Sequence, residues 1–179
     1  MIVFPSDFVY WTDAKDHENM KQLVMERVKN QQLDEAVAVN TEPHDEPDLQ
    51  GYAPFMLTEV YPALHKMFDE MPFLQRPSRM DCTKIWFVEY NEGAHLNADI
   101  HRESQISGCY FAELNEPNTT LFTSYTGMQN EMFQSMFRPD FIKEGQIMFF
   151  PSHLLRSVLP STKHQVVVLF DVKLGFGED

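Results

Sequence analysis

Residues 90–108, YNEGAHLNADIHRESQISG, concentrate side chains that bind metal ions between two runs with strand character. Asp99 and His101 are separated by one residue, so their side chains lie on the same face of an extended segment. A carboxylate and an imidazole in this arrangement can bind a divalent cation. The same pair can also be satisfied by hydrogen bonds without a metal. His95 and Asn97 share the spacing, but asparagine is a poor ligand, so we expect edge or loop residues there.

The strands that position these side chains are predicted from the second half of the sequence. Five runs of β-branched and aromatic residues occur there, beginning at residue 84. They are separated by Asn, Gly, Pro and Ser, which is typical of β-structure. The runs are KIWFVEY, QISGCYFAEL, TTLFTSY, GQIMFFP and QVVVLFDVKL. Between the third and the fourth lies an insertion, GMQNEMFQSMFRPDF, which we expect to be partly helical.

Two amphipathic helices are predicted before the strands. The first lies in DHENMKQLVMERVKN, with Asp16 as its N-cap and apolar residues at helical spacing, namely Met20, Leu23, Val24 and Val28. The second covers about 55–69 and has one apolar face, formed by Leu57, Val60, Tyr61, Leu64, Met67 and Phe68. Residues 41–54 are rich in proline and acid, so we expect a surface loop. Helices followed by strands predict an α+β chain with a β-sandwich or barrel core.

The composition limits the class of protein. With 179 residues, 43% of them hydrophobic and 23% charged, the chain has globular values and room for one buried core. The formal net charge of −13 argues against a nucleic-acid partner, and no apolar run reaches membrane-spanning length. The first residues, MIVFPSDFVYW, lack the pattern of a signal peptide, so we expect a cytoplasmic protein. We expect Cys82 and Cys109 to be free thiols there.

Three motifs resemble the 2-oxoglutarate and Fe(II)-dependent oxygenases. The similarity is to short, single-domain, prolyl-hydroxylase-like members, including those encoded by cyanobacterial phages. A Tyr-x-x-Gly at residues 90–93 runs into Asp99-x-His101. SGCYF, residues 107–111, is similar to an SGxYY strand of those members. GQIMFFPSHLLRSVLP, residues 145–160, is similar to the closing strands, in which Gly precedes Phe-Pro-Ser and then His-x-Val-x-Pro.

The resemblance covers most of residues 84–173 and implies a fold. That fold is a double-stranded β-helix (jelly-roll) with N-terminal helices packed on one sheet. The family also implies a single domain over residues 1–179, with a helical part at about 1–80 and a β core at about 84–175.

The family holds Fe(II) with two imidazoles and one carboxylate. Its pattern assigns Asp99 and His101 as metal ligands, with the acid and the imidazole in exchanged order. The third ligand, a histidine, falls at Arg156, which cannot deprotonate and is no ligand. His153 is the candidate replacement, although its odd offset from Arg156 needs a bulge or turn to re-aim it. The alternative is an Asp99–Arg156 ion pair that fills the vacated metal position.

The family anchors 2-oxoglutarate on a basic residue, and that position falls near Gln165. Arg156 and Lys163 are the basic residues that could replace it. Tyr110, in SGCYF, is the third residue that the resemblance assigns to cofactor binding. Fe(II) and 2-oxoglutarate are therefore expected if the site is active, and no cofactor is expected otherwise.

Two functions remain open. The altered ligand position favours a structural or interaction module with a degenerate metal site, in the virion or in assembly if the chain is phage-encoded. The alternative is an active Fe(II)/2-oxoglutarate-dependent dioxygenase, a hydroxylase, with a rearranged Asp-x-His site. We expect protein partners or self-assembly, no nucleic acid and no membrane. For a phage-encoded chain, the expected location is the host cytoplasm or the virion.

Overall fold

The structure is a computed structural model that describes residues 7–31, 39–41, 49, 51–101, 103–124 and 136–177. Its strands form two antiparallel sheets. In spatial order, the larger sheet contains β1 (Tyr10–Asp13), β8 (Gln146–Pro151), β5 (Ile106–Leu114), β10 (Gln165–Gly175), β3 (Arg79–Tyr90) and β2 (Val39–Thr41). The smaller sheet contains β4 (Leu96–Asp99), β9 (Leu155–Val158), β6 (Thr120–Thr123) and β7 (Met136–Phe137).

The central strand β10 is buried on both faces, which explains its almost continuous apolar run. Successive side chains of a strand point to opposite faces. Val168 and Phe170 accordingly pack in the core under the helices, whereas Val167 and Leu169 pack in the core between the two sheets. Gly108 lies opposite Phe170 on β5, and a Cβ there would lie 2.2 Å from the Phe170 ring. The glycine of SGCYF therefore makes room for a core ring.

The two predicted helices are present and pack on the larger sheet. The first is α1 (His17–Asn30), and the second runs through α2 (Ala53–Phe55), a π-helical turn (Met56–Val60) and α3 (Tyr61–Glu70). Their buried residues share one core with the outer face of the sheet. Leu57 was wrongly assigned to the apolar face, since it is 67% exposed. The π-helical turn holds an extra residue, which changes the phase of the helix and buries Met56 instead.

Asp16 precedes α1 as predicted, but its side chain makes no capping hydrogen bond. Instead, Glu59 of the π-helical turn binds the backbone just before the helix. Its carboxylate accepts hydrogen bonds from the backbone N–H of Lys15 at 2.6 Å and of Asp16 at 3.1 Å. A carboxylate is favourable there because the start of a helix carries a partial positive charge. Glu59, which belongs to a different helix, thus fixes the two residues that lead into α1.

Several sequence predictions concern the connecting segments and the cysteines. The acidic loop 41–54 and the insertion 127–141 fall largely outside the described residues; at their described ends lie β2, the start of α2, and β7. Cys82 and Cys109 are free thiols, as predicted. Among the described helices, none is long and apolar enough to cross a membrane.

Candidate functional site

A cavity of about 380 Å³ lies between the two sheets and is lined by three of the six predicted site residues. Strands β3 and β10 of the larger sheet contribute Lys84 and Asp171 to its wall. Strands β4 and β9 of the smaller sheet contribute Asp99 and Arg156, and His101 follows directly after β4. The structure therefore brings Asp99, His101 and Arg156 to one cavity.

Arg156 is the most unusual side chain of this cavity because it is only 2% exposed. It points inward from β9, whose residues alternate between half-buried and buried. Its Nη2 donates a hydrogen bond to the Tyr90 hydroxyl at 3.2 Å, and its buried Nε has no partner among the described residues. A buried guanidinium normally pairs with a carboxylate, because removing a charge from water is costly.

The groups nearest to Arg156 are neutral at pH 7. Burial raises the pKa of Tyr90 above its ordinary value, and the charge of Arg156 offsets only part of that effect. Burial likewise raises the pKa of the Cys109 thiol to about 11. Neither group can therefore act as the counter-ion of Arg156.

Asp99 lies directly opposite Arg156 in the pairing of β4 with β9. Its carboxylate is exposed, and Oδ1 accepts a hydrogen bond from the backbone N–H of Ile100 at 2.7 Å. Its negative charge acts on Arg156 from a distance. The expected Asp99–Arg156 ion pair is nevertheless not formed in the described part of the chain. The carboxylate stays in water, where it needs no buried partner.

His101 is held by a buried acid that the sequence predictions did not include. Its Nδ1 donates to the Asp171 carboxylate, at 2.9 Å from Oδ1 and 3.0 Å from Oδ2. Asp171 also accepts a hydrogen bond from the Ser107 hydroxyl at 2.6 Å. The imidazole stacks on Trp86, with ring centroids 5.7 Å apart. A lone acid within VVVLFDVKL was the signal that could have identified Asp171, since acids are rarely buried without a partner.

His153 lies in the turn between β8 and β9, away from the Arg156 cavity. Its side chain is 55% exposed, and its Nε2 is 3.5 Å from Oδ1 of Asp7. It lines a second, mainly apolar cavity of about 460 Å³, together with His101 and Phe68. Only His101 of the predicted site residues contacts both cavities. His153 and Asp99 therefore line different cavities.

Lys163 and Tyr110 also lie away from the cavity. Lys163 is exposed in the loop between β9 and β10, where its backbone N–H donates to Glu116 at 3.3 Å. Tyr110 is buried on the helix side of β5, with its hydroxyl 2.7 Å from Nδ1 of His17. The alternation of side chains along SGCYF explains this position, because Cys109 and Phe111 are the residues that face the other sheet. Of the three predicted cofactor-binding residues, only Arg156 lines the cavity.

The polar residues of the cavity do not fit the iron site that the family implies. Asp99 offers a carboxylate, and His101 offers Nε2 because its Nδ1 carries the proton donated to Asp171. The resemblance puts the third ligand at Arg156, whose guanidinium has no lone pair for a metal. Within the described ranges, no group of three His, Cys, Asp or Glu side chains is arranged to hold a metal ion.

Comparison with known proteins bears on the fold. No family model matches the sequence, and no curated protein matches it. HygX from Streptomyces hygroscopicus, with nickel, 2-oxoglutarate and hygromycin B bound, aligns with a TM-score of 0.63 and 9% identity over 97% of this chain and 85% of that chain. A Pseudomonas putida prolyl-4-hydroxylase aligns with a TM-score of 0.59 and 10% identity over 93% of this chain and 92% of that chain.

A viral collagen prolyl hydroxylase of Paramecium Bursaria Chlorella virus-1, in its 2-oxoglutarate complex, aligns over 93% of this chain and 96% of that chain. Its TM-score is 0.54 and its identity is 8%. At such identities the likeness concerns architecture, and it confirms the predicted α+β class. The chain has the fold of the 2-oxoglutarate and Fe(II)-dependent oxygenases, with two antiparallel sheets in the double-stranded β-helix arrangement and helices packed on the larger sheet.

Proposed function

We propose that this chain is a binding module built on the oxygenase fold, in which the metal site is degenerate. The observation that carries the proposal is the buried Arg156, which lies opposite Asp99 where the family pattern has its third metal ligand. A fold shared with enzymes does not imply their activity, so function must be argued from the site.

A guanidinium at this position weakens the binding of a metal ion in two ways. It removes one of the three protein ligands that the family uses, which leaves Asp99 and His101 as the only donors of the set. It also adds a permanent positive charge beside the position of a divalent cation, where the interior of a protein screens repulsion poorly. Both effects weaken binding of Fe(II), so we infer that the cavity acts through binding of a ligand.

The alternative is an active dioxygenase with Asp99, His101 and His153 as metal ligands and Arg156 or Lys163 as the anchor of 2-oxoglutarate. The geometry of the described residues favours the binding module over it. His153 lines the other cavity and is more than half exposed, and Lys163 is exposed in a loop. An active site of this composition would require rearrangement of both residues.

An anaerobic titration of the purified protein with Fe(II), followed by 2-oxoglutarate, tests the proposal. We expect neither the visible charge-transfer band of a ternary complex nor a rise in melting temperature. Arg156→His is the informative variant, because it supplies the missing imidazole beside Asp99 and His101. We expect this variant to gain metal affinity, measured first with Co(II), whose absorption reports its coordination. A band in the wild-type protein that disappears in Asp99→Ala would overturn the proposal in favour of the active enzyme.

Protein partners and self-assembly remain predictions, as does a role in a phage virion. They follow from the acidic net charge and the resemblance to phage-encoded proteins. Light scattering coupled to size-exclusion chromatography measures self-assembly directly. We expect an oligomer whose mass is independent of added Fe(II), and a monomer at all concentrations would contradict self-assembly.

A further inference from the structure

The Arg156 cavity holds a buried positive charge that no described residue neutralises by contact. Arginine remains protonated in proteins, and its guanidinium has five N–H donors. Only one hydrogen bond from it to the described part of the chain exists, to the neutral hydroxyl of Tyr90. We propose that this cavity is a binding site for a small monocarboxylate with an apolar body, and that the carboxylate pairs with Arg156. The inference rests on the proposed function, because it puts a ligand where the family has its metal.

The acids around the cavity leave the space beside the Arg156 guanidinium open to a ligand. Asp171 is already bonded to His101 and Ser107. Glu103 is 77% exposed and pairs with Lys84 at 3.2 Å. Asp99 is exposed and is bonded to the backbone. Arg156 is therefore the one buried charge among the described residues of the cavity that lacks an oppositely charged contact. A ligand carboxylate would supply it through charge-assisted hydrogen bonds.

The remaining walls of the cavity indicate what the carboxylate should be attached to. Trp86, Leu96 and Leu169 are among the side chains that line it, and they offer an indole face and two branched aliphatic groups. The volume of about 380 Å³ lies near the lower end of small-molecule sites, which range over roughly 300–1,000 Å³. A flat aryl or branched alkyl group fits these walls.

The charges at the cavity also predict selectivity against dicarboxylates. Asp99 and Glu103 are two exposed acids beside the space that a second carboxylate would occupy. Like charges in such positions disfavour a dianion, although solvent screens part of the repulsion. A monocarboxylate should therefore bind more tightly than succinate or 2-oxoglutarate.

The test is a calorimetric titration with benzoate, phenylacetate and 4-methylpentanoate as probes. Each is compared with its neutral amide, which has nearly the same shape. We expect at least tenfold weaker binding for each amide and for succinate and 2-oxoglutarate. Ligand-induced change in Trp86 fluorescence, recorded in a Trp11→Phe background, locates the probe in this cavity. Equal affinity for acid and amide, or tighter binding of the dicarboxylates, would overturn the inference.

Variants at two positions separate the role of Arg156 from a general effect of charge. Arg156→Met keeps a long apolar side chain and removes the charge, and we expect at least a tenfold loss of affinity for the monocarboxylates. Arg156→Lys keeps the charge without the planar fork and should bind with intermediate affinity. Lys163→Met removes the same charge from an exposed loop and should leave the affinity unchanged. Unchanged binding in a folded Arg156→Met protein would overturn the inference.

The iron titration distinguishes the failure of this inference from the failure of the proposed function. Asp99-dependent binding of Fe(II) by the wild-type protein overturns the proposed function, whatever the carboxylates do. Absence of iron binding together with absence of carboxylate binding overturns only the carboxylate site. Carboxylate binding that requires Arg156, without iron binding, supports both.

Discussion

A buried charge lies over each face of the larger sheet, and the two charges differ in the partners that they have. On the helix side, Glu59 is 3% exposed and accepts hydrogen bonds from the N–H groups of Lys15 and Asp16. Between the sheets, Arg156 is 2% exposed, and its one hydrogen bond to a described side chain goes to the neutral Tyr90 hydroxyl. One buried charge therefore has charged or hydrogen-bonded partners that satisfy it, whereas the other has no oppositely charged contact among the residues that the structure describes.

Asp171, which lies between the sheets like Arg156, follows the pattern of Glu59. It accepts from His101 and from Ser107, so its charge is satisfied within the chain. The difference is therefore a property of Arg156 itself and not of the layer in which it lies. The comparison teaches that a buried charge with internal partners serves stability, whereas one without partners is available to a ligand. Four predictions test this distinction, beginning with the largest expected effect.

Glu59→Ala should cause the largest loss of stability. The substitution leaves the N–H groups of Lys15 and Asp16, just before α1, without their acceptor and removes a favourable negative charge near the start of the helix. Hydrogen bonds to charged groups contribute roughly 1.5–3 kcal/mol each, so we expect the free energy of unfolding to fall by about 3–4 kcal/mol. Urea denaturation measures it. Glu92→Ala, at an exposed position, is the control and should stay within about 0.5 kcal/mol of the wild-type protein. A loss below about 1 kcal/mol for Glu59→Ala would contradict its structural role.

Alkaline pH should destabilise the core around Arg156. Burial raises the pKa of Cys109 from 9.0 to about 11, while Arg156 lowers it and Asp171 raises it by smaller amounts. The folded state keeps this proton to a higher pH than the unfolded state does, so the raised pKa stabilises the fold. This contribution is complete below pH 9 and is lost as the pH rises through about 11. At roughly 1.4 kcal/mol per pKa unit, the loss amounts to about 2–3 kcal/mol.

Unfolding free energies measured between pH 8 and pH 11 check this effect, with Cys109→Ala as the comparison. The variant should show a shallower decline, and the remaining slope comes from groups such as Cys82, whose pKa burial raises to about 12. Arg156→Met should shift the Cys109 titration to higher pH, since the nearby positive charge favours the thiolate. Identical slopes for the wild-type protein and Cys109→Ala would rule out this titration as the cause.

Asp171→Asn should have an intermediate effect. The amide can still accept the Ser107 hydrogen bond, but it no longer supplies a carboxylate to the Nδ1–H of His101. We expect a loss of about 1–2 kcal/mol, the range for one charge-assisted hydrogen bond that becomes neutral. Thermal and urea denaturation measure it against Asp140→Asn, an exposed control. A neutral outcome would indicate that His101 finds another acceptor.

Arg156→Met should have the smallest effect on stability, and its sign should be opposite. Removing a buried charge that has no oppositely charged contact in the described ranges, with little change of volume, should leave the free energy of unfolding unchanged or raise it by about 1 kcal/mol. Urea denaturation without added ligand is the measurement. A loss above about 2 kcal/mol would place Arg156 with Glu59 and Asp171 as a structural charge, because breaking a satisfied buried pair costs about 3–5 kcal/mol.

The sequence by itself determined the helices, the strands and the α+β class, because strand and helix patterns are local. The β-branched and aromatic runs KIWFVEY and QVVVLFDVKL were sufficient to predict strands β3 and β10, and helical spacing was sufficient to predict α1. Asp99 and His101, which the motif places on one face, both line the cavity between the sheets. These inferences hold because neighbouring residues of a strand or helix have fixed relative directions.

Only the tertiary structure decided how the polar residues are paired. Glu59 reaches α1 across more than 40 residues of sequence, Asp171 meets His101 across 70, and Tyr90 meets Arg156 across 66. Such contacts follow from sheet register and helix phase, which a π-helical turn or a bulge changes by one residue. The same sequence spacing therefore fits an Asp99–Arg156 ion pair or an Arg156 without an acidic contact among the described residues. The packing of the two sheets buries the guanidinium while the carboxylate stays in water, so the two groups do not form an ion pair.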